Sequence, residues 1–202
     1  MADMASTNAP FGLKPWGNVK SANLYAIATA PGAAIYHGDL VEAAGTALST
    51  PHGYMQSCAV EETGAAGSLL GGILALFDED MDPCLYIASG EAGDGTIAGY
   101  ALVADDPNQE YVAQEDGDTS SLQAADVGQN IDMVHTESGD TGTGLSGMEL
   151  DSDTAAGTAT LGFKILKPHP EDSISAAGAA GNHCRFIIKM NAAYRGSNTA
   201  GV

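Results

Sequence analysis

Three stretches of this 202-residue chain have the residue types and spacing that chemistry uses. Gly142, Gly144 and Gly147 spell GxGxxG, the spacing that lets amides at a helix start meet a pyrophosphate between a strand and a helix. The residues that follow, MELDSDTAAG, do not begin an amphipathic helix and the surroundings are acidic, so a nucleotide site is not expected. No Lys follows these glycines, which removes a P-loop. Asp78, Asp80 and Asp82 spell DxDxD, the opening of a calcium loop, but Pro83 stands where the loop needs Gly and Ser89 where it needs a bidentate Glu. Ser146 lies in GLSGM, which fails the GxSxG nucleophile elbow at its last position.

His183 adjoins Cys184, and neighbours on a strand point to opposite faces, so the two do not form a nucleophile–base pair. His37, His52, His135, His169 and His183 show no metal-ligand spacing. With no converging nucleophile, base or metal cluster, the sequence reads as a non-enzyme without a cofactor.

The elements that would position any site are short. Runs of β-branched and aromatic residues alternate with Gly, Asp, Asn and Thr clusters, which predicts strands near Ala34–Val41, Tyr54–Val60, Ile73–Phe77, Cys84–Ala88, Thr96–Val103, Glu110–Gln114, Ile131–His135, Thr158–Leu166 and Cys184–Asn191. The 26 glycines argue against long helices, and only about one helical turn is expected, around Ser120–Val127. The expected fold class is therefore all-β: a compact antiparallel β-barrel or β-sandwich, jelly-roll-like. It spans residues 21–195, with an extended N-terminal arm over residues 1–20 and a flexible C-terminal tail over 196–202. Residues 136–147 and 171–183 read as loops. Phe11, Leu13 and Trp16, the only Trp, give the arm anchors for docking onto another surface or back onto the body.

Leu, Ile, Val and Phe together number only 37, and the 44% hydrophobic fraction leans on Ala, which buries little area. Such a core is thin, and a partner surface that binds only the native state would reinforce it. The net charge is -19, and it is unevenly spread. No Lys or Arg occurs between Ser21 and Phe163, where 23 of the 26 acidic residues fall. The basic residues sit near the ends: Lys14, Lys20, Lys164, Lys167, Arg185, Lys189 and Arg195. Nucleic acid and anionic membrane both require a basic footprint, so neither is an expected partner. Adaptation to salt would explain the acidity but not the collection of cations at the ends.

Cys58, Cys84 and Cys184 are an odd count without CxxC pairing and suit free thiols in a reducing compartment. No apolar stretch approaches the ~20 residues of a membrane span, and the N-terminus lacks a signal-peptide pattern. Synthesis in a host cytoplasm is expected.

YHGDLV (Tyr36–Val41), DDPNQEYVAQEDG (Asp105–Gly117), DVGQN (Asp126–Asn130), TGLSGMELD (Thr143–Asp151) and KILKPHP (Lys164–Pro170) occur in this order. In order and texture they resemble the capsid decoration, or cement, proteins of tailed bacteriophages, over most of residues 30–195. The resemblance implies a virion structural protein on the outer capsid surface. It would be a β-barrel or sandwich subunit that clamps neighbouring capsomers, with the major capsid protein and its own copies as partners, as a homotrimer or a homodimer. The motifs are turn and strand signatures, and no catalytic residue carries over. The expected shell-facing set is Phe11, Leu13, Lys14, Trp16 and Lys20 from the arm with Lys164, Lys167, Arg185, Lys189 and Arg195. The alternative is a tail or head-fibre component acting as an adhesin for a host-surface glycan. It would call for repeats or clustered exposed aromatics, and aromatics are 6% of the chain.

Overall fold

Frequent Gly breaks the chain into short runs of β-branched and aromatic residues, none long enough for a helix despite the Ala content, and strands are what form. The computed structural model describes residues 7–62, 68–118, 121–135, 138–172, 183–191 and 193–196. In chain order the strands are β1 (Lys14–Pro15), β2 (Ala22–Ala28), β3 (Ile35–Tyr36), β4 (Leu40–Thr50), β5 (Gly53–Val60), β6 (Leu69–Phe77), β7 (Pro83–Cys84), β8 (Tyr86–Ile87), β9 (Ile97–Ala104), β10 (Glu110–Gln114), β11 (Asn130–Ile131), β12 (Met133–Val134), β13 (Glu149–Leu150), β14 (Phe163–Pro168) and β15 (Arg185–Met190). Among the described residues there is no α-helix. Three single 3₁₀ turns occur, one of them at Ala124–Asp126 inside the expected Ser120–Val127 turn.

The protein is all-β, with its sheets packed on one another. β4, β5, β2, β9 and β6 pair in sequence, and β6 pairs back to β4, so five strands close a small barrel. Closure removes the sheet edges that short strands would otherwise expose. All its pairings are antiparallel except β2 with β5. Tyr25, Ile27, Val41, Cys58, Ile73 and Val103 share the core of this barrel. The second layer is a five-stranded sheet in the order β1-β10-β15-β14-β11. Its inner face packs Tyr111, Ile188, Ile165, Phe186 and Phe163 against Leu40, Leu69 and Ala104 of the barrel, in one continuous core. Ile187 and Ile188 of the central strand β15 point to opposite faces of the sheet, and both are fully buried.

Close approach at this seam depends on glycine. Gly71 has φ +148°, and a Cβ there would lie 1.9 Å from the Ala104 carbonyl oxygen and 2.6 Å from the Tyr111 hydroxyl.

Residues 7–20 lie back on the body. β1 runs antiparallel to β10 with Lys14 opposite Val112, as the edge strand of the sheet. The Leu13 amide donates to the Gly38 carbonyl at 2.7 Å and the Trp16 amide to that of Glu110 at 2.8 Å. Leu13 is 1% exposed and belongs to the shared core. Gly12 (φ +66°) and Gly38 (φ +90°) face each other so closely that a Cβ on either would lie 2.2 Å from a carbonyl oxygen of the other segment. Of the two dockings that the sequence allowed for the arm, residues 7–20 therefore adopt the intramolecular one. Residues 1–6 and 197–202, and 173–182 of the expected second loop, lie outside the described residues.

Candidate docking face

The pairing register gathers cations from both ends of the chain onto one face of the five-stranded sheet. Lys14, Val112, Ile187 and Lys167 lie side by side in one cross-strand row. Glu110, Lys189, Lys164 and Asn130 form a second row, and Gln114 with Arg185 a third. In the alternate rows Tyr111, Ile188 and Ile165 point into the core. Lys164 and Lys167, three residues apart, would point to opposite faces of a regular strand. A bulge between Ile165 and Lys167 resets the alternation and keeps both on the outer face. The five strands carry five basic residues and one acidic residue, Glu110, whereas the five barrel strands carry a single charged residue, Glu42, and nearly all the other carboxylates lie in the connections of both layers.

Lys164 stands directly opposite Lys189, an arrangement of like charges that costs stability and that a negative partner would relieve. Lys14, Lys164 and Lys167 are exposed, and among the described residues none of them makes an ion pair. Lys189 donates from Nζ to Asn108 Oδ1 at 2.8 Å, and Lys20 donates to the carbonyl of the same Asn108. Trp16 is half-buried, its ring edge-on to His169 at 5.2 Å between centroids. Beside this face, Phe11, Leu13, Ile73, Leu74 and Leu145 line an open groove of about 510 Å³, with Lys14 and Arg185 at its rim.

Three of the expected docking residues are committed elsewhere. Leu13 is in the core. Arg185 is held by Asp172 at 2.6 Å and Glu171 at 3.2 Å. Arg195 reaches Asp105 at 2.6 Å, far from it in sequence. Burial pushes the Asp105 carboxyl up, but hydrogen bonds from Tyr25, Asn23 and Arg195 outweigh burial and hold it below the usual carboxylate range. Asp172 behaves in the same way under Arg185. The available set is Lys14, Lys20, Lys164, Lys167 and Lys189, with Phe11 and Trp16 partly accessible.

The stretches that resembled chemistry make local contacts. Asp140 caps its own turn, accepting from the Gly142 amide at 2.8 Å and the Thr143 hydroxyl at 3.0 Å, with no helix following. Asp78 likewise accepts from the Asp80 and Asp82 amides. His37 lies between the carbonyls of Leu74 and Cys84, and burial pushes the Cys58 thiol up to about 12. Among the described residues no group of three His, Cys, Asp or Glu is placed to hold a metal.

Asp39, Asp105, Glu115 and Glu149 are buried acids that sequence reading did not single out, and Asp39 and Glu115 hold backbone amides. Asp39, fully buried, accepts from the Tyr36 amide at 2.7 Å, and burial raises its pKa. Glu115, also fully buried, accepts from the Leu122 amide at 2.6 Å and the Cys184 amide at 3.3 Å, tying the end of β10 to the start of β15. Burial raises its pKa to about 7. Asp39 falls inside the expected strand Ala34–Val41 and Glu115 just past the expected strand Glu110–Gln114, and nothing in either local pattern signals a buried acid.

YHGDLV, DDPNQEYVAQEDG, DVGQN, TGLSGMELD and KILKPHP contact one another in pairs. The Ser146 amide donates to the His37 carbonyl, the Asp116 amide to Leu150, and the Gly128 amide to Ile165. Comparison with protein-family models, with curated proteins and with solved structures found no match to this chain.

Proposed function

We propose that this chain is a structural protein of a virus particle, bound through the lysine-rich outer face of its five-stranded sheet to an acidic protein surface. More particularly, it acts as a decoration subunit on the outside of a tailed-phage head, with the major capsid protein as its partner. The observation that carries the reading is the segregation of charge. Five cations from the two ends of the chain share one sheet face, while the barrel carries only acidic charge. Complementary potentials of this kind set the orientation of docking and speed encounter. The acidic barrel, turned outward, keeps particles apart in solution.

The test is binding of purified chain to heads stripped of it. Lys14→Glu with Lys167→Glu should lower occupancy strongly while the isolated protein keeps its unfolding midpoint. Occupancy equal to that of the unmodified chain would remove the sheet face from the account.

A further inference from the structure

We propose that two copies of this chain associate through the ribbon formed by β4 and β5, edge to edge about a two-fold axis. The inference concerns self-association and stands without the particle. Residues 43–60 contain no Asp, Glu, Lys or Arg, in a chain of net charge -19. The other uncharged stretch of that length, residues 21–38, places Tyr25, Ala26, Ile27, Ile35 and Tyr36 in the interior.

The inner face of the ribbon closes over the barrel wall. Leu48 and Met55 pack on Ala26, Ile97 and Tyr100, and the His52 ring meets Tyr100 at 5.9 Å between centroids. The outer face presents Ala47, Ser49 and Tyr54, the last 83% exposed.

Both edges of the ribbon are open. β6 pairs with β4 only at Leu40, Val41 and Glu42, and β2 pairs with β5 only at Ser57 and Cys58. The irregularity between Ala43 and Ala47 leads into a regular run, Ala47–Thr50. That run has β5 on one side and, among the described residues, no strand on the other. Natural sheets guard such an edge with charge or proline inside the strand. Here neither interrupts Ala47–Thr50.

The occupant is a second copy for two reasons. An antiparallel strand edge is complementary to itself under a two-fold operation, which gives a closed dimer. Under a two-fold operation each surface meets its own copy, so acidic surfaces would face acidic ones and the lysine-rich face another lysine-rich face, and the uncharged ribbon is where such approach costs least. The repulsion that remains is screened by salt, and association therefore strengthens as ionic strength rises.

Sedimentation and light scattering of the isolated full chain test this. The expected result is a species of twice the 20.4 kDa chain mass, with a share that grows from low to high NaCl. Ser49→Asp and Tyr54→Asp should each leave monomer at a concentration where the unmodified chain is dimeric. Hydrogen exchange on the unmodified chain supplies a readout free of folding defects, because the Ala47–Thr50 amides should gain protection as concentration rises. A chain of monomer mass at every salt concentration, a trimer, or Asp variants as dimeric as the parent would overturn the proposal. Particle binding measured separately is unaffected by any of these outcomes.

Discussion

The barrel and the sheet are built from the same thin, Ala- and Gly-rich material, yet they treat charge in opposite ways. The barrel segment contains ten carboxylate residues and no cation. The sheet collects Lys14, Lys164, Lys167, Arg185 and Lys189, residues as much as 175 positions apart, into rows on one face. A bulge keeps both lysines of β14, Lys164 and Lys167, on that face, and like charges stand directly opposite one another at Lys164 and Lys189. Lys14, Lys164 and Lys167 make no ion pair among the described residues, whereas most of the barrel segment's carboxylates lie in its connections, with Asp39 buried and Glu42 in β4. Two surfaces of opposite sign on one small body imply opposite responses to salt, to mutation and to pH, and each response can be measured.

The largest effect is expected where the sheet borrows its edge strand from the N-terminus. Leu13→Ala should cost about 2–5 kcal/mol in chemical denaturation, because it empties a core position shared by barrel and sheet. Deletion of residues 1–18 should destabilise the body as well as weaken attachment. A variant that unfolds at the parent's denaturant midpoint would show the arm to be a dispensable strap.

Next in size is pH. Glu115 has a folded pKa of about 7 against 4.5 for the free side chain. The folded state therefore takes up a proton that the unfolded state releases. Stability should fall by a few kcal/mol as pH rises from about 4.5 through about 7. Glu115→Gln should flatten that window and be the more stable protein at pH 8. Asp105 and Asp172 act with the opposite sign. Their folded pKa values are depressed, so the stability they contribute is present above the ordinary carboxylate range and is lost as pH falls through the folded values. Equal slopes for Glu115→Gln and its parent would remove Glu115 as the cause.

Charge reversal at the sheet comes third. Lys164→Glu places an acid opposite Lys189 and should change the stability of the free chain by no more than about 0.5 kcal/mol, in the stabilising direction, while reducing attachment to heads. Stability and binding that fell together would mean that the lysines serve the fold. The smallest effect belongs to the barrel wall. The Tyr100 hydroxyl is buried under the ribbon with no hydrogen-bond partner among the described residues. Tyr100→Phe should therefore be neutral or stabilising by up to about 1 kcal/mol in thermal unfolding.

Strands with β-branched and aromatic residues were legible in the sequence. Glu110–Gln114 matches its expected bounds, and Gly53–Val60 begins one residue earlier than expected. β2, with the sequence ANLYAIA, was missed because its alternation is written in Ala, which carries little strand signal. The expected strand Ala34–Val41 is broken by the turn at His37–Asp39, where Gly38 takes a positive φ. Barrel closure depends on β4 meeting β6, a long-range pairing that no local pattern announces. The same limit applies to the face. The cations at the chain ends were visible, but their alignment depends on register and one bulge. The capture of Arg185 by Asp172 and of Arg195 by Asp105 depends on tertiary contacts 13 and 90 residues apart.

An image reconstruction of the intact particle would show which face meets the shell. Density for this chain is expected on the head, with β14 and β15 against the shell and the acidic barrel facing solvent. The barrel against the shell with Lys14, Lys164, Lys167 and Lys189 turned outward, or heads that lack the chain altogether, would contradict the proposed docking.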